Sequence, residues 1–128
     1  MKYYIEKTLN TDFESAVKRA TEALKNEGFG VLSEINIHEK LKEKLNVDYP
    51  KYRILGACNP KLAYEALKKE EKIGTMLPCN VIVREISENV TEVAAVDPIA
   101  SMQAVQNEEL GNIANEVQNK LKSVIDSL

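Results

Sequence analysis

Apolar residues in this chain alternate in some blocks and recur at helical spacing in others, and the switches between the two periods mark the elements. Lys2–Lys7 alternates, with Tyr3 and Ile5 on one side, and predicts a first strand. Over Asp12–Glu27, Phe13, Ala16, Val17, Ala20 and Leu24 recur every three or four residues and predict a helix. Thr11 and Glu14 carry the T-x-x-E spacing of a capping box, and Gly28 stands where a left-handed residue ends a helix. Phe29–Ile37 predicts a second strand, with Val31, Ile35 and Ile37 on one face and Glu34 and Asn36 on the other. A short helix follows over His38–Leu45, its stripe formed by Ile37, Leu41 and Leu45. The charged residues between them read as a solvated face. Tyr52–Ala57 predicts a third strand, and Asn59-Pro60 opens a helix with Asn as cap and Pro at its first position. Pro78–Ile86 and Val90–Val96 predict a hairpin across Ser87-Glu88-Asn89. Asp97-Pro98 repeats the cap-and-proline device before a short helix containing Met102. Asn107 caps a last helix, with Glu108 and Glu109 in its first turn and a stripe of Leu110, Ala114, Val117, Leu121, Val124 and Leu128.

Strands and helices alternate too irregularly for a doubly wound fold, and one tight hairpin is present. The expected architecture is an α+β sandwich of two layers, with the longest helices on one face of a mainly antiparallel sheet. The 128 residues fit one domain, taken as 1–128. Lys and Arg number 17 against 20 Asp and Glu, a net charge of −3, which argues against nucleic-acid binding. No 18-residue apolar run and no apolar leader-like segment follow Met1, so no membrane partner is expected and a cytoplasmic location is.

The chemistry-bearing residues are few. The lone histidine, His38, is expected to be exposed at a helix start, and no G-x-S-x-G accompanies it. Phosphate-binding glycine loops and zinc-ligand spacings are absent, so no cofactor and no metal are expected. Cys58 and Cys79 lie in similar settings, Gly56-Ala57-Cys58-Asn59-Pro60 and Leu77-Pro78-Cys79-Asn80-Val81. Cys58 precedes a helix N-terminus, which favours a thiolate; either cysteine could instead pack as a small apolar residue. A structural disulfide is not expected in a reducing compartment, and two thiols with one distant His fall short of a zinc set. A soft-metal set of Cys58, Cys79, Met76 and Met102 is conceivable, although Met at apolar positions is ordinarily core. Asp97 reads as a helix cap before it reads as a base or ligand. Tyr49, Tyr52 and Arg53 could line a pocket or frame an edge strand.

Gly28-Phe29-Gly30-Val31-Leu32, Leu41-Lys42-Glu43-Lys44-Leu45, Tyr52-Arg53-Ile54-Leu55-Gly56-Ala57-Cys58-Asn59-Pro60, Leu77-Pro78-Cys79-Asn80-Val81 and Val96-Asp97-Pro98 occur in this order. Together they resemble the prokaryotic family known as domain of unknown function 302, over nearly the whole chain. The resemblance implies a TATA-box-binding-protein-like fold: a curved antiparallel sheet packed by one early and one late helix, with short helices added. It implies a homodimer, and it supplies no activity. Asn46 stands where the family often has Gly, in keeping with a left-handed helix end. The residues singled out for a pocket or thiol site are Arg53, Cys58, Asn59, Cys79, Asn80 and Asp97. The expected function is a non-enzymatic module that binds a small ligand or a partner. The alternative is a thiol-dependent enzyme or sulfur or redox carrier using Cys58 and Cys79. Either site reading requires the two Cys-Asn turns to converge on one cleft beneath the last helix.

Overall fold

The computed structural model describes residues 2–128. Five strands, β1 (Tyr4–Leu9), β2 (Gly30–Asn36), β3 (Tyr52–Cys58), β4 (Cys79–Ser87) and β5 (Val90–Val96), form one sheet in the order β1-β5-β4-β3-β2. Every pairing is antiparallel. The helices are α1 (Phe13–Asn26), α2 (Ile37–Leu45), α3 (Pro60–Lys69), α4 (Pro98–Ser101) and α5 (Gly111–Asp126). The fold is the α+β sandwich that the pattern predicts.

The core lies between one sheet face and the two long helices. From α1 come Phe13, Ala16, Val17, Ala20 and Leu24; from α5 come Val117, Leu121, Val124 and Ile125. They meet Leu55, Ala57, Val81, Val83, Val93 and Ala95 of the three central strands. Each fully buried Leu or Val here stabilises the fold by about 1.5–3 kcal/mol relative to an exposed one. Buried Thr91 donates its hydroxyl to the Thr11 carbonyl at 2.9 Å, fastening the hairpin to the start of α1. A smaller cluster of Ala66, Ile73 and Leu110 joins α3 to the approach of α5, beneath a 3-10 turn over Glu71–Met76 that the periodicity does not predict.

Several local expectations need correction. Asp12, not Thr11, caps α1: its carboxylate accepts from the Ser15 amide at 2.8 Å, and Glu14 instead pairs with Arg53. Strand β1 runs later than predicted, and Tyr3 does not share a face with Ile5. Tyr3 lies with Tyr4 on the side away from the helices, while Ile5 packs towards the core. In β2 a bulge at Leu32 inverts the alternation: Val31 pairs with Ala57, but Glu34 pairs with Leu55 and Ile35 with Ile54. Ile35 therefore joins the open face, and Glu34 and Asn36 turn to the helix side.

Helix α2 buries no residue, and the end of its predicted stripe, Leu45, is 66% exposed. Its His38 is half-buried rather than exposed. Nδ1 accepts the Tyr52 amide at 3.0 Å, and the ring meets Phe13 edge-on. Asn107 caps a short 3-10 turn, Glu108–Leu110, that leads into α5, and Met102 lies just past α4. As expected, Asn46 ends α2 in the left-handed region, and the hairpin turns at Glu88-Asn89.

Gly28 ends α1 with φ of 84°, and a Cβ there would stand 3.1 Å from the Asn59 side-chain nitrogen. Gly30, two residues on, has nothing within 4 Å of such a Cβ. Gly28→Ala should lower unfolding free energy by about 1–3 kcal/mol, whereas Gly30→Ala should change it little. Urea denaturation of the two variants checks this contrast.

Candidate functional site

Two helices cover one face of the sheet, and the other face is bare of helices. Register places Tyr4 and Glu6 of β1, Glu92 and Ala94 of β5, Asn80, Ile82 and Arg84 of β4, and Tyr52 and Ile54 of β3 on it. Over this face lies a cleft of about 600 Å³, walled on one side by Tyr3 and Tyr4 and on the other by Tyr49, Pro50 and Lys51. The Lys51 carbonyl accepts the Glu85 amide at 2.8 Å, which holds the second wall against the sheet. The Tyr49 and Tyr52 rings lie 6.4 Å apart, tilted. On the floor, directly opposed Arg84 and Glu92 form an ion pair, Nε to Oε1 at 2.7 Å. The bond from Arg84 holds the Glu92 carboxyl below the ordinary carboxylate range. Partial burial raises the Tyr52 phenol above its ordinary value.

The sulfur-bearing turns lie elsewhere. Cys58 ends β3 just before Asn59, whose side chain caps α3 by accepting the Leu62 amide at 3.3 Å. Cys79 opens β4 opposite Ala57, after a cis Leu77–Pro78 peptide. Both cysteines line a narrow void of about 30 Å³ between the sheet end, α3 and α5. Burial, and to a lesser degree Cys58, push the Cys79 thiol up from 9.0 to about 11.

The six predicted residues thus separate. Cys58, Asn59 and Cys79 surround the void; Asn80, next in sequence to Cys79, points to the bare face and lines the large cleft. Arg53 joins neither. Its Nε donates to Asn36 Oδ1 at 2.6 Å, its Nη2 pairs with Glu14 at 2.9 Å, and its guanidinium lies 5.1 Å from the Phe13 ring centre. It clamps β2 and β3 to α1. Asp97 caps α4 through the Ile99 amide at 3.0 Å and accepts two hydrogen bonds from Gln118 of α5. Of the three residues singled out around Pro50, Tyr49 and Tyr52 line the cleft and Arg53 faces away. The cleft residues Tyr4, Ile82, Arg84 and Glu92 carry no motif. Their one signal is that Ile54, Ile82 and Ala94 are apolar at alternate positions where a solvated strand face would be polar. Among the described residues no three His, Cys, Asp or Glu side chains gather to hold a metal, and no helix is long and apolar enough to cross a membrane.

An antiparallel sheet covered on one side by an early and a late helix, with a tyrosine-walled cleft on the other, defines the structural class. Within that class the chain belongs to the family described as domain of unknown function DUF302, whose model matches residues 5–128. It is similar to the uncharacterized conserved DUF302 protein from Bacillus stearothermophilus, known from a crystal structure. The two share 28% sequence identity and a TM-score of 0.90 over 98% of each chain. No curated protein matches the chain.

Two predictions follow from these environments. A thiol whose folded value exceeds its unfolded value favours the folded state fully below the unfolded value, and that contribution disappears as pH rises through the folded one. For Cys79 the window is 9.0 to about 11. The urea midpoint should fall across it, and fall less in Cys79→Ala. Arg53→Lys keeps the charge but loses the fork that reaches Asn36 and Glu14 together. It should cost about 1–2 kcal/mol in thermal unfolding without altering anything bound at the cleft.

Proposed function

We propose that this chain is a non-enzymatic binding module that works through the bare sheet face and takes a small, flat, partly apolar ligand between its tyrosine walls. One observation carries the reading: a cleft of about 600 Å³ lined by Tyr3, Tyr4, Tyr49 and Tyr52 above Ile82 and Arg84. Ligand sites ordinarily occupy about 300–1,000 Å³ and combine apolar walls with a few placed polar groups. The Arg84–Glu92 pair offers both a donor and an acceptor at the floor. A TATA-box-binding-protein-like fold and a cytoplasmic location belong to the same proposal. Nucleic acid is a poor fit, because Glu6, Glu85 and Glu92 outnumber Lys51 and Arg84 around the cleft. Thiol chemistry, the competing reading, meets a buried Cys79 that holds its proton to about 11 and a void too small for an organic substrate.

A second copy of the chain is the other occupant this face supports. Lys51, Arg84 and Glu85 lie towards β3 and β4, and Glu6 and Glu92 towards β1 and β5. A two-fold axis lying in the interface parallel to the strands would set the two cations of each copy over Glu6 and Glu92 of the other.

Native mass spectrometry and light scattering of protein purified without denaturation decide between the occupants. The ligand reading expects a monomer carrying a small molecule that Ile82→Glu fails to retain. The homodimer reading expects twice the chain mass and a monomeric Ile82→Glu. A monomer with nothing bound, indifferent to that substitution, removes both.

A further inference from the structure

Strand register sets three side chains of β4 in a line on the bare face: Asn80, Ile82 and Arg84, at alternate positions. Asn80 and Arg84 stand roughly 13 Å apart along the strand, with Ile82 between them. Both polar ends have bonding capacity to spare. Arg84 commits only Nε, to Glu92, and its two terminal nitrogens have no partner among the described residues. The Asn80 side-chain amide has none among them either, and the residue opposite it on β3 is Gly56, so no cross-strand side chain competes for it. Lys51 lines the same cleft one residue before Tyr52, which lies directly opposite Arg84. The carboxylates lie apart from this line or are already engaged. Glu92 is held by Arg84. Glu85, opposite buried Thr91, alternates to the helix side. Glu6 is on β1, two strands and about 10 Å from β4. The Arg84–Glu92 pair is neutral as a whole, which leaves Lys51 as the excess charge. Along β4 the floor is therefore cationic at one end, apolar in the middle and neutral but polar at the other.

Resting on the ligand reading of this cleft, we infer that its ligand is an aromatic carboxylate of one or two fused rings, with a hydrogen-bonding group on the edge opposite the carboxylate. The ring plane lies on Ile82. The carboxylate takes the free terminal nitrogens of Arg84, with Lys51 beside it, and the far group meets the Asn80 amide. A guanidinium edge and a carboxylate match in geometry, two N–H groups facing two oxygens. Glu92 improves that match, because its bond to Nε fixes the guanidinium plane before a ligand arrives. An amide both donates and accepts, so Asn80 suits a hydroxyl, a carbonyl or a ring N–H. The Arg84 and Asn80 side chains take up part of the roughly 13 Å between their backbones, and one or two rings fill the rest. Tyr49 and Tyr52 supply ring contacts on the β3 side.

The test is calorimetric titration of the full chain with four probes: 6-hydroxy-2-naphthoate, its neutral amide, 2-naphthoate and 2-naphthylmethylammonium. The hydroxynaphthoate should bind tightest, at one site per chain. Loss of charge in the amide should weaken binding about tenfold to a hundredfold, and loss of the hydroxyl in 2-naphthoate about threefold to tenfold. Arg84→Gln should erase the preference for acid over amide. Asn80→Ala should erase the preference for the hydroxylated ring, while Lys68→Met on α3 changes neither. Arg84 and Asn80 are exposed, and circular dichroism verifies that both variants fold. Equal binding of acid and amide, tighter binding of the ammonium probe, or an acid preference that survives in folded Arg84→Gln overturns the inference and leaves the cleft reading standing. Absence of binding by every probe also overturns it, and the cleft is then judged by native mass spectrometry alone. Hydroxynaphthoate binding that persists unchanged in Ile82→Glu lies outside the cleft, and that result fails the cleft reading itself.

Discussion

One-sided burial of the sheet is the constraint on which the rest of this molecule depends. Strands spaced about 4.8 Å apart make a five-stranded sheet roughly as wide as two helices packed about 10 Å apart. The chain has two helices long enough for that task, α1 and α5, and their apolar stripes meet the same face. Ala16 and Ala20 are wholly buried in that layer, and their small side chains let the α1 backbone approach the sheet closely. The shorter helices serve the margins. Helix α2 packs against β3 without burying a residue, and α3 and α4 close the sheet end.

A sheet covered on one side has a second face to manage. Here that face is neither a plain solvated surface nor a second core. Arg84 and Glu92 neutralise each other on adjacent strands, while Ile54, Ile82 and Ala94 keep its centre apolar between tyrosine walls. Such a floor gains from being covered, and that need links the ligand and homodimer readings. The bulge at Leu32 belongs to the same economy of faces: it turns Ile35 out to extend the apolar strip, and it irregularises an edge strand that would otherwise invite further pairing.

The cysteine turns answer to a different part of the fold. They stand where β3 runs into α3 and where β4 begins, beneath α5. Gly56 lies beside them because a Cβ there would meet Ser33 and come within 2.9 Å of Pro78 Cγ. Gly28 and Asn59 form a similar close approach at 3.1 Å. The motif residues Gly28, Gly56, Asn59 and Pro78 therefore fit together as a close-packed corner at the sheet end where Cys58 and Cys79 stand. Arg53 and Asp97 do comparable positioning work at other corners, one clamping α1 to the sheet and the other tying α4 to α5.

Much of this was legible along the chain. Periodicity yields all five strands and the long helices, because the periods of two and 3.6 follow from backbone geometry that each segment carries by itself. The Asn59-Pro60 and Asp97-Pro98 caps and the left-handed Gly28 and Asn46 are local too, and local chemistry suffices to read them. Which face a strand presents is less secure: one extra residue at Leu32 reversed the predicted faces of Glu34, Ile35 and Asn36, and only pairing with β3 reveals it. Asn80 parts from Cys79 because neighbours on a strand point to opposite faces, and by the same rule Cys58 parts from Ala57 and from Cys79, which lies opposite Ala57. The cleft itself has no linear signature. Tyr4, Tyr52, Arg84 and Glu92 stand far apart in sequence and become one surface only when strand order brings β1, β5, β4 and β3 side by side, a long-range outcome that no local propensity encodes.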